Sequence, residues 1–219
     1  ALLRPHVAAL DDAALLRHFQ RDRSIHFTPV IDDEEIRRER IDGILRGVFE
    51  FNGEMHTLPH PVPWLDNPSR DVEWHILLHK FYYAVGLGRA WKGTGNPAYA
   101  RQWAQLVSSW IDVTPVDFIA TDVTGRRVQN WIGSLHAFVF TGQGADTIDP
   151  ATFRKLLHSL HAQVEHLAAN LTPKRNHRTL ELLAVFIAGV VLPEFERAAH
   201  WRELALRETV TNIHADLLI

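Results

Sequence analysis

The chain has 219 residues, of which 46% are hydrophobic and 22% charged, a composition typical of a folded domain with a large core. The formal net charge of -3 argues against non-specific nucleic-acid binding, which needs many phosphate contacts from lysine and arginine. It leaves an anionic ligand open, because local positive charge is sufficient to hold one. The absence of cysteine excludes disulfides, thiolate metal sites and a cysteine nucleophile.

No stretch of the sequence predicts a membrane span, because the most apolar run, residues 180–192, is too short to cross a bilayer. The first five residues do not have the layout of a signal peptide, but secretion stays open because such a peptide is removed on export. The last three residues are apolar and carry no polar tail, which we expect of a chain cut from a longer protein.

Helical signals dominate the first fifty residues. Asp11 and Asp12 can cap a first helix, and Asp32 and Asp33 can cap a second. The apolar residues of the second helix fall roughly on one face as far as Val48. We therefore predict two helices here, the second ending where the pattern changes to alternation.

A single β-hairpin is predicted near residues 48–58. Residues 48–51 and 55–58 alternate in polarity on either side of Asn52-Gly53, a pair typical of two-residue hairpin turns. The proline-rich segment 59–68 that follows predicts a loop.

The rest of the chain predicts further helices, and we count at least seven in all. Their predicted starts or spans are Val72, Asn96-Pro97, residues 125–140, Asp149-Pro150, residues 180–192 and the segment after Pro193. Long helices joined by short loops favour antiparallel hairpins. Trp103, Trp110 and Trp201 share helical spacing with other apolar residues, so we predict that they lie in the core.

Four groups of short motifs occur in order between about residues 45 and 215. They are FNG at 51–53 with WLDNP at 64–68, EW at 73–74 and HKF at 79–81; GNPAYA at 95–100 with SWI at 109–111; GRRVQNW at 125–131; and NH at 176–177 with AGVVLPEF at 188–195 and Trp201. In this order and spacing the chain resembles the N-terminal domain of the heparinase II/III family of polysaccharide lyases.

The resemblance implies an all-α fold, an incomplete (α/α) toroid of antiparallel helical hairpins. We expect residues 1–219 to form a single helical domain, with the family's C-terminal β-sheet domain outside this chain. That β-domain would be a partner within the same longer protein. The resemblance also favours a periplasmic or secreted location, and it implies no cofactor.

The resemblance further implies β-elimination of a uronate-containing polysaccharide, such as heparan sulfate or alginate. This fragment would be incomplete, because the family's catalytic tyrosine falls beyond residue 219 and Tyr82, Tyr83 and Tyr99 do not match its position. One alternative is a non-catalytic glycan-binding or scaffold domain on the same fold. Another is a helical domain that binds proteins through an exposed apolar face.

Asn176 and His177 match the family's catalytic positions. The elimination removes a proton beside a carboxylate, so a donor must hold the carboxylate and a base must take the proton. By the resemblance Asn176 holds the carboxylate and His177 assists proton transfer. The alternative, judged from the local sequence, is a helix cap followed by a surface histidine.

The remaining candidates are expected to bind substrate. Aromatic rings can stack on sugars, basic groups can bind acidic substituents, and several of these positions match polar positions of the family groove. The set is Trp64, His79, Lys80, Arg127, Asn130, Trp131, Lys174 and Arg175. For Arg127 a buried guanidinium that satisfies a helix C-terminus is an equal alternative.

Two features of the sequence limit which site residues can be assigned from the family. The family often has an acidic residue two positions before the glycine of the GRRVQNW motif, where this chain has Val123 beside Asp122. His158, His161 and Glu165 share a helical spacing, but two histidines and one carboxylate on a solvated helix are more often surface residues than metal ligands. We therefore predict no metal site.

Overall fold

The computed structural model describes residues 2–21, 23–141, 146–173 and 175–217, and these are mostly helical, as the sequence predicts. The helices are α1 (Pro5–Ala8), α2 (Asp12–Phe19), α3 (Arg38–Ile44), α4 (Val72–Lys80), α5 (Tyr82–Thr94), α6 (Pro97–Val113), α7 (Thr121–Phe138), α8 (Pro150–Ala169), α9 (Arg175–Val191) and α10 (Ala198–Leu217). The strands are β1 (Val48–Phe51) and β2 (Glu54–Thr57). Among the described residues no helix is both long and apolar enough to cross a bilayer.

Three helix starts follow the predicted capping residues. The side chains of Asp11, Asn96 and Asp149 each accept a backbone N–H from the first turn of α2, α6 and α8. Pro97 and Pro150 occupy the first helical positions, where the missing N–H has no intrahelical partner to lose. These three starts are confirmed.

Helices α5, α7 and α9 form one layer and run in the same direction. Gly88 of α5 lies against Ala137 of α7, and Gln129 of α7 donates to the Leu180 carbonyl of α9 (3.2 Å). The return helices α6, α8 and α10 form a second layer and run antiparallel to the first. Successive helices therefore pair as the antiparallel hairpins that the toroid prediction requires.

Tryptophan rings fill the space between the layers. Trp103 stacks on Phe138 (4.5 Å between centroids), and Trp110 meets Trp131 edge to face (5.4 Å). Trp103, Trp110 and Trp201 are all buried, which confirms their prediction as core residues.

The β-hairpin has the predicted turn, and its register pairs Val48 with Thr57 and Phe51 with Glu54. The predicted helix before it is divided. Residues 33–36 form a 3-10 turn, and α3 begins only after Arg37, whose extended backbone interrupts the helical path. The apolar spacing on one face did not reveal this break.

A second break separates α4 from α5. Phe81 lies in the left-handed region (φ 59°), which turns the chain sharply, and its ring is fully buried. The ring packs against Trp64 (5.3 Å) and Trp131 (5.4 Å), so packing compensates for the unfavourable backbone.

Residues 23–32, here called the crossing segment, have no regular structure and pass over α9, α7 and α5 in turn. Arg23 donates to the Val191 carbonyl at the end of α9 (3.0 Å). Pro29 then packs against Gly133 of α7, and the segment leads into the 3-10 turn, whose Ile36 lies against Gly86 of α5. The crossing segment thus lies against the C-terminal parts of α9 and α7 and leads to the N-terminal half of α5.

Candidate functional site

Asn176 and His177 occupy the first turn of α9, and both are exposed to solvent. His177 Nδ1 lies 3.1 Å from Asp122 Oδ2, in the first turn of α7. A carboxylate at one ring nitrogen fixes the orientation of an imidazole and leaves the other nitrogen for proton transfer. The starts of two parallel helices therefore place an amide, an imidazole and a carboxylate at the positive ends of two helix dipoles.

Glu181 holds this region together from below. Its carboxylate is fully buried and accepts hydrogen bonds from Thr121 Oγ1 (2.5 Å), Thr172 N (2.7 Å) and Thr172 Oγ1 (2.6 Å). Thr121 begins α7 and Thr172 lies in the turn before α9. One carboxylate thus fixes both helix starts relative to each other.

Arg178 adds a link to the second layer. Its guanidinium donates to the Thr172 carbonyl (2.8 Å) and to Glu208 of α10 (2.7 Å). The turn that precedes Asn176 is consequently held on both sides, and the residues of the first turn of α9 project from a well-supported position.

Arg127 and Asn130 do not reach solvent. Asn130 Nδ2 donates to the Lys80 carbonyl (2.7 Å) and Arg127 Nη1 to the His79 carbonyl (3.2 Å). These carbonyls end α4, where Phe81 stops the helix and leaves them without intrahelical partners. For Arg127 this is the alternative reading, a buried guanidinium at a helix C-terminus, and the substrate-binding prediction is corrected for both residues.

The charge of Arg127 is compensated by dipoles and an aromatic ring. Its guanidinium donates to Gln163 (2.8 Å) and to Thr124 (3.1 Å), and lies 4.1 Å from the centroid of the Trp110 ring. No ion pair with Arg127 is found among the described residues. Burial lowers the pKa of Arg127 to about 9.

His79 is also enclosed. Trp110 Nε1 donates to His79 Nδ1 (3.1 Å), so His79 Nε2 carries the proton and donates to the Trp64 carbonyl (2.9 Å). Burial, with the charge of Arg127 second, lowers the pKa of His79 to about 3. The neutral ring is a structural link between α4, α6 and the loop, and the prediction that it faces a groove is corrected.

The prediction that Trp64 and Trp131 stack on sugar rings is also corrected. Trp64 and Trp131 are fully buried, and stacking on a sugar requires a ring face open to solvent. Lys80 is partly exposed and pairs with Glu73 (3.2 Å). Lys174 and the side chain of Arg175 lie outside the described residues.

Glu165 and His161 of α8 contact other side chains of the fold. Glu165 accepts from Trp201 Nε1 (2.6 Å) and pairs with Arg197 (3.1 Å), while the ring of His161 lies against Trp201 (5.5 Å). Within the described ranges no cluster of three or more histidine and acidic side chains is arranged to hold a metal ion.

Two cavities lie away from the starts of α7 and α9. One of about 800 Å³ is lined by α2, α6 and residues 146–150. Another of about 520 Å³ lies beside the C-terminal ends of α5 and α7. Neither of these two cavities is lined by Asn176 or His177, whose side chains are exposed.

Asp122 and Glu181 are the residues that the sequence predictions missed. Asp122 was noticed only as the neighbour of a position where the family carries acid, and the helix brings it to His177 one position earlier than expected. Glu181 is a single carboxylate in an otherwise apolar run, which is itself a signal, because a buried carboxylate needs several donors.

Comparison with known proteins identifies related sequences over nearly the whole chain. Residues 8–219 match the family model described as heparinase II/III N-terminus. The chain is 26% identical over 175 residues to a heparin-sulfate lyase of Pedobacter heparinus, a match that covers 76% of this chain and 25% of the relative. It is 23% identical over 166 residues to a heparin-sulfate lyase of Bacteroides stercoris, covering 65% of this chain and 24% of that protein.

Solved structures share the fold. The heparan sulfate lyase of Pedobacter heparinus superposes with a TM-score of 0.78 at 23% identity, covering 93% of this chain and 34% of that chain. A heparinase III superposes with a TM-score of 0.77 at 20% identity, covering 93% of this chain and 35% of that chain. The chain thus spans about a quarter of the length of the curated relatives and about a third of the solved chains.

Proposed function

Because the chain belongs to the heparinase II/III N-terminal family, we propose that it is the helical domain of a polysaccharide lyase. Its substrate is an acidic, uronate-containing glycan, for which heparan sulfate is the first candidate and alginate the second. The observation that carries the proposal is the exposed pair Asn176 and His177, with His177 braced by Asp122 at 3.1 Å.

The chemistry assigned to each residue follows from charge. The Asn176 amide donates to the uronate carboxylate, and so stabilises the enolate-like charge that develops when the neighbouring carbon loses its proton. His177 takes that proton through the ring nitrogen that does not face Asp122. The electron pair of the broken C–H bond forms a C=C bond as the adjacent C–O bond breaks. The leaving oxygen takes a proton from an acid.

Helix geometry supports an anionic substrate at this place. Asn176 and His177 stand in the first turn of α9, where backbone N–H groups carry partial positive charge. Lys174 and Arg175 adjoin them in sequence and remain proposed contacts for acidic groups of the glycan. Lys80 is a further proposed contact, since its side chain is partly exposed.

A second candidate function is glycan binding without catalysis. The described tyrosines favour it, because two of the three serve the fold. Tyr83 donates to the Leu78 carbonyl (2.9 Å), and Tyr99 donates to Asp42 (2.5 Å). Neither hydroxyl is available to protonate a leaving oxygen, and the acid that complete lyase chemistry needs would come from another group, for which a C-terminal β-domain of the same protein is our candidate.

The test measures formation of the unsaturated uronate by its ultraviolet absorbance. The 219-residue chain and the longest product of its reading frame are each incubated with heparan sulfate, hyaluronan, chondroitin sulfate and alginate. We expect product in the longest form with heparan sulfate, lost in Asn176→Ala and lowered about 100-fold or more in His177→Ala. His200→Ala removes an exposed histidine of α10 and serves as the control with unchanged rate.

Three outcomes separate the candidates. Activity on alginate and not on heparan sulfate would retain the lyase and change the substrate. Absence of product from every glycan, with binding retained in a pull-down, would replace the lyase by the binding domain. Equal activity of Asn176→Ala and the unsubstituted chain would remove the assigned site.

A further inference from the structure

The cavity of about 520 Å³ beside the ends of α5 and α7 is not used by the proposed lyase site. It lies under residues 26–28 of the crossing segment, and His136 in its wall is 14 residues along α7 from Asp122. At the rise of an α-helix this separates the cavity from the start of α7 by about 21 Å. Its volume falls within the range of about 300–1,000 Å³ that is usual for small-ligand sites.

An aromatic surface lines this cavity. Six of the seven tryptophans are buried, and Trp91 is the one with a partly exposed ring. Trp91 packs against Phe138 (5.6 Å), which fixes the ring in place, and Phe27 and Phe140 add further aromatic surface. Rigid rings with one open face suit the apolar face of a sugar, because they bury area at little entropic cost.

The polar groups of the lining favour an acidic ligand. Lys92 and His26 are exposed, Thr28 supplies a hydroxyl, and none of the lining residues is acidic. His136 accepts the backbone N–H of Phe27 at Nε2 (3.2 Å), so its Nδ1 carries a buried proton that has no acceptor. An anion in this cavity therefore meets the exposed Lys92 and His26 and no carboxylate of the lining.

The negative partial charge of the helix ends beside the cavity is reduced, because some of their carbonyls accept hydrogen bonds. At the end of α5, Gly95 N donates to the Trp91 carbonyl (2.7 Å) and Thr94 Oγ1 to the Ala90 carbonyl (2.7 Å). At the end of α7, Val139 N donates to the Leu135 carbonyl (2.8 Å). The negative partial charge of both helix ends is thus partly satisfied within the chain.

We propose that this cavity is a second binding site for an acidic sugar unit, which stacks on Trp91 and places its carboxylate or sulfate between Lys92 and His26. The choice of ligand class rests on the proposed function, since the sugar belongs to the same kind of glycan. The second site holds a polysaccharide chain at a distance from Asn176 and His177. It does not take part in the elimination.

The test uses the isotope-labelled chain in an Asn176→Ala background, so that turnover cannot consume the ligand. A heparan sulfate oligosaccharide is titrated while the indole N–H signals are followed by NMR. The Trp91 signal is assigned by its absence in Trp91→Leu. We expect the Trp91 signal to shift with saturation, and Lys92→Gln to raise Kd about tenfold through loss of a charge-assisted contact.

Arg89→Gln is the matched control. Arg89 is an exposed cation of the same helix, one turn before Lys92, and pairs with Asp33 outside the cavity (3.3 Å). We expect its Kd to stay unchanged. A Trp91 signal that does not move, or equal weakening by Lys92→Gln and Arg89→Gln, would overturn the second site.

The two proposals fail separately. If Trp91 responds but the lyase assay gives no product, the second site stands and the elimination does not. If product forms in the lyase assay while Trp91 stays unchanged, the elimination stands and the second site is wrong.

Discussion

Arg127 brings a positive charge into the core to satisfy a helix end. Its guanidinium reaches the His79 carbonyl, Gln163 and Thr124, and covers one face of Trp110. A side chain that carries this many donors can replace the capping residues that α4 lacks where Phe81 ends it. The conspicuous polar motif around it therefore serves the fold.

Replacing this guanidinium by an apolar chain is expected to destabilise the fold. Arg127→Met leaves a buried carbonyl and two polar side chains without a donor, which we expect to lower the free energy of unfolding by about 3 kcal/mol. Urea denaturation followed by circular dichroism measures it. Arg126→Met, at the half-exposed neighbouring position, is the control and should change stability by under about 0.5 kcal/mol. Similar losses in both variants would contradict the capping role.

Because His79 is buried in its neutral form, we expect the fold to lose stability as the pH falls. The pKa of His79 is about 3 in the fold against an ordinary value of 6.5, so the unfolded chain takes the proton first as the pH falls. The neutral His79 ring makes its full contribution to the free energy of unfolding above about pH 6.5, and this contribution declines as the pH falls below that value. At about pH 5 this one group lowers the free energy of unfolding by about 2 kcal/mol relative to neutral pH.

The check is the pH dependence of urea denaturation in His79→Gln. Glutamine keeps one acceptor for Trp110 and one donor for the Trp64 carbonyl but cannot be protonated. We expect a smaller loss of stability between neutral and acidic pH than in the unsubstituted chain. His200→Gln, on the surface of α10, should retain the full loss. An unchanged slope in His79→Gln would show that other groups govern acid unfolding.

Candidate site residues could be selected from the sequence, but whether their side chains are exposed could not be predicted from it. Asn176 and His177 were named from the resemblance and do lie on the surface. Trp64 and Trp131 were expected to face sugars, yet both are buried, because whether a ring faces solvent depends on helices that pack on it from elsewhere in the chain. Local spacing cannot supply that information.

At the scale of elements, breaks were harder to predict than starts. Asn96-Pro97 and Asp149-Pro150 begin helices as expected, because a cap and a fixed proline φ act locally. Phe81 ends α4 without glycine, proline or a polar cap, since long-range packing of its ring maintains the left-handed backbone. The first kind of signal is readable in the sequence and the second is not.

The contact between the crossing segment and α7 depends on a glycine. A Cβ at Gly133 would lie 2.4 Å from Pro29 Cγ, whereas a Cβ at Gly93 would meet nothing within 4 Å. We expect Gly133→Ala to lower the free energy of unfolding by about 1–3 kcal/mol. Gly93→Ala should raise it by up to about 1 kcal/mol, because alanine favours the helix.

Thermal and urea unfolding of the two variants measure this difference, and amide hydrogen exchange at Phe27 localises it. Faster exchange at Phe27 in Gly133→Ala is expected, because Phe27 N donates to His136 close to the displaced proline. If both alanine variants gain stability equally, Pro29 moves aside freely and the crossing segment is not held by this contact.

At the scale of the whole molecule, the two ends of the layer formed by α5, α7 and α9 carry different side chains. The parallel helices α7 and α9 begin together, so Asp122, Asn176 and His177 meet at one end. The other end of α7, together with the end of α5, adjoins the aromatic cavity with Trp91 and Lys92. Family resemblance predicted the hairpin architecture correctly, but this division requires knowing which helices are neighbours.

The contacts of the first residues have a consequence for the order in which the chain folds. Arg23 donates three hydrogen bonds to the carboxylate of Glu194, which is 171 residues away, and Leu3 forms a β-bridge with Phe195. During synthesis Leu3 and Arg23 cannot make these contacts until residues 194 and 195 exist, whereas Phe19 of α2 can already pack on Phe153 of α8. Contacts of such long sequence separation slow folding, because a large loop must close before they form. The contacts of Leu3 and Arg23 with residues 194 and 195 are therefore expected to form late, after α2 has reached α8.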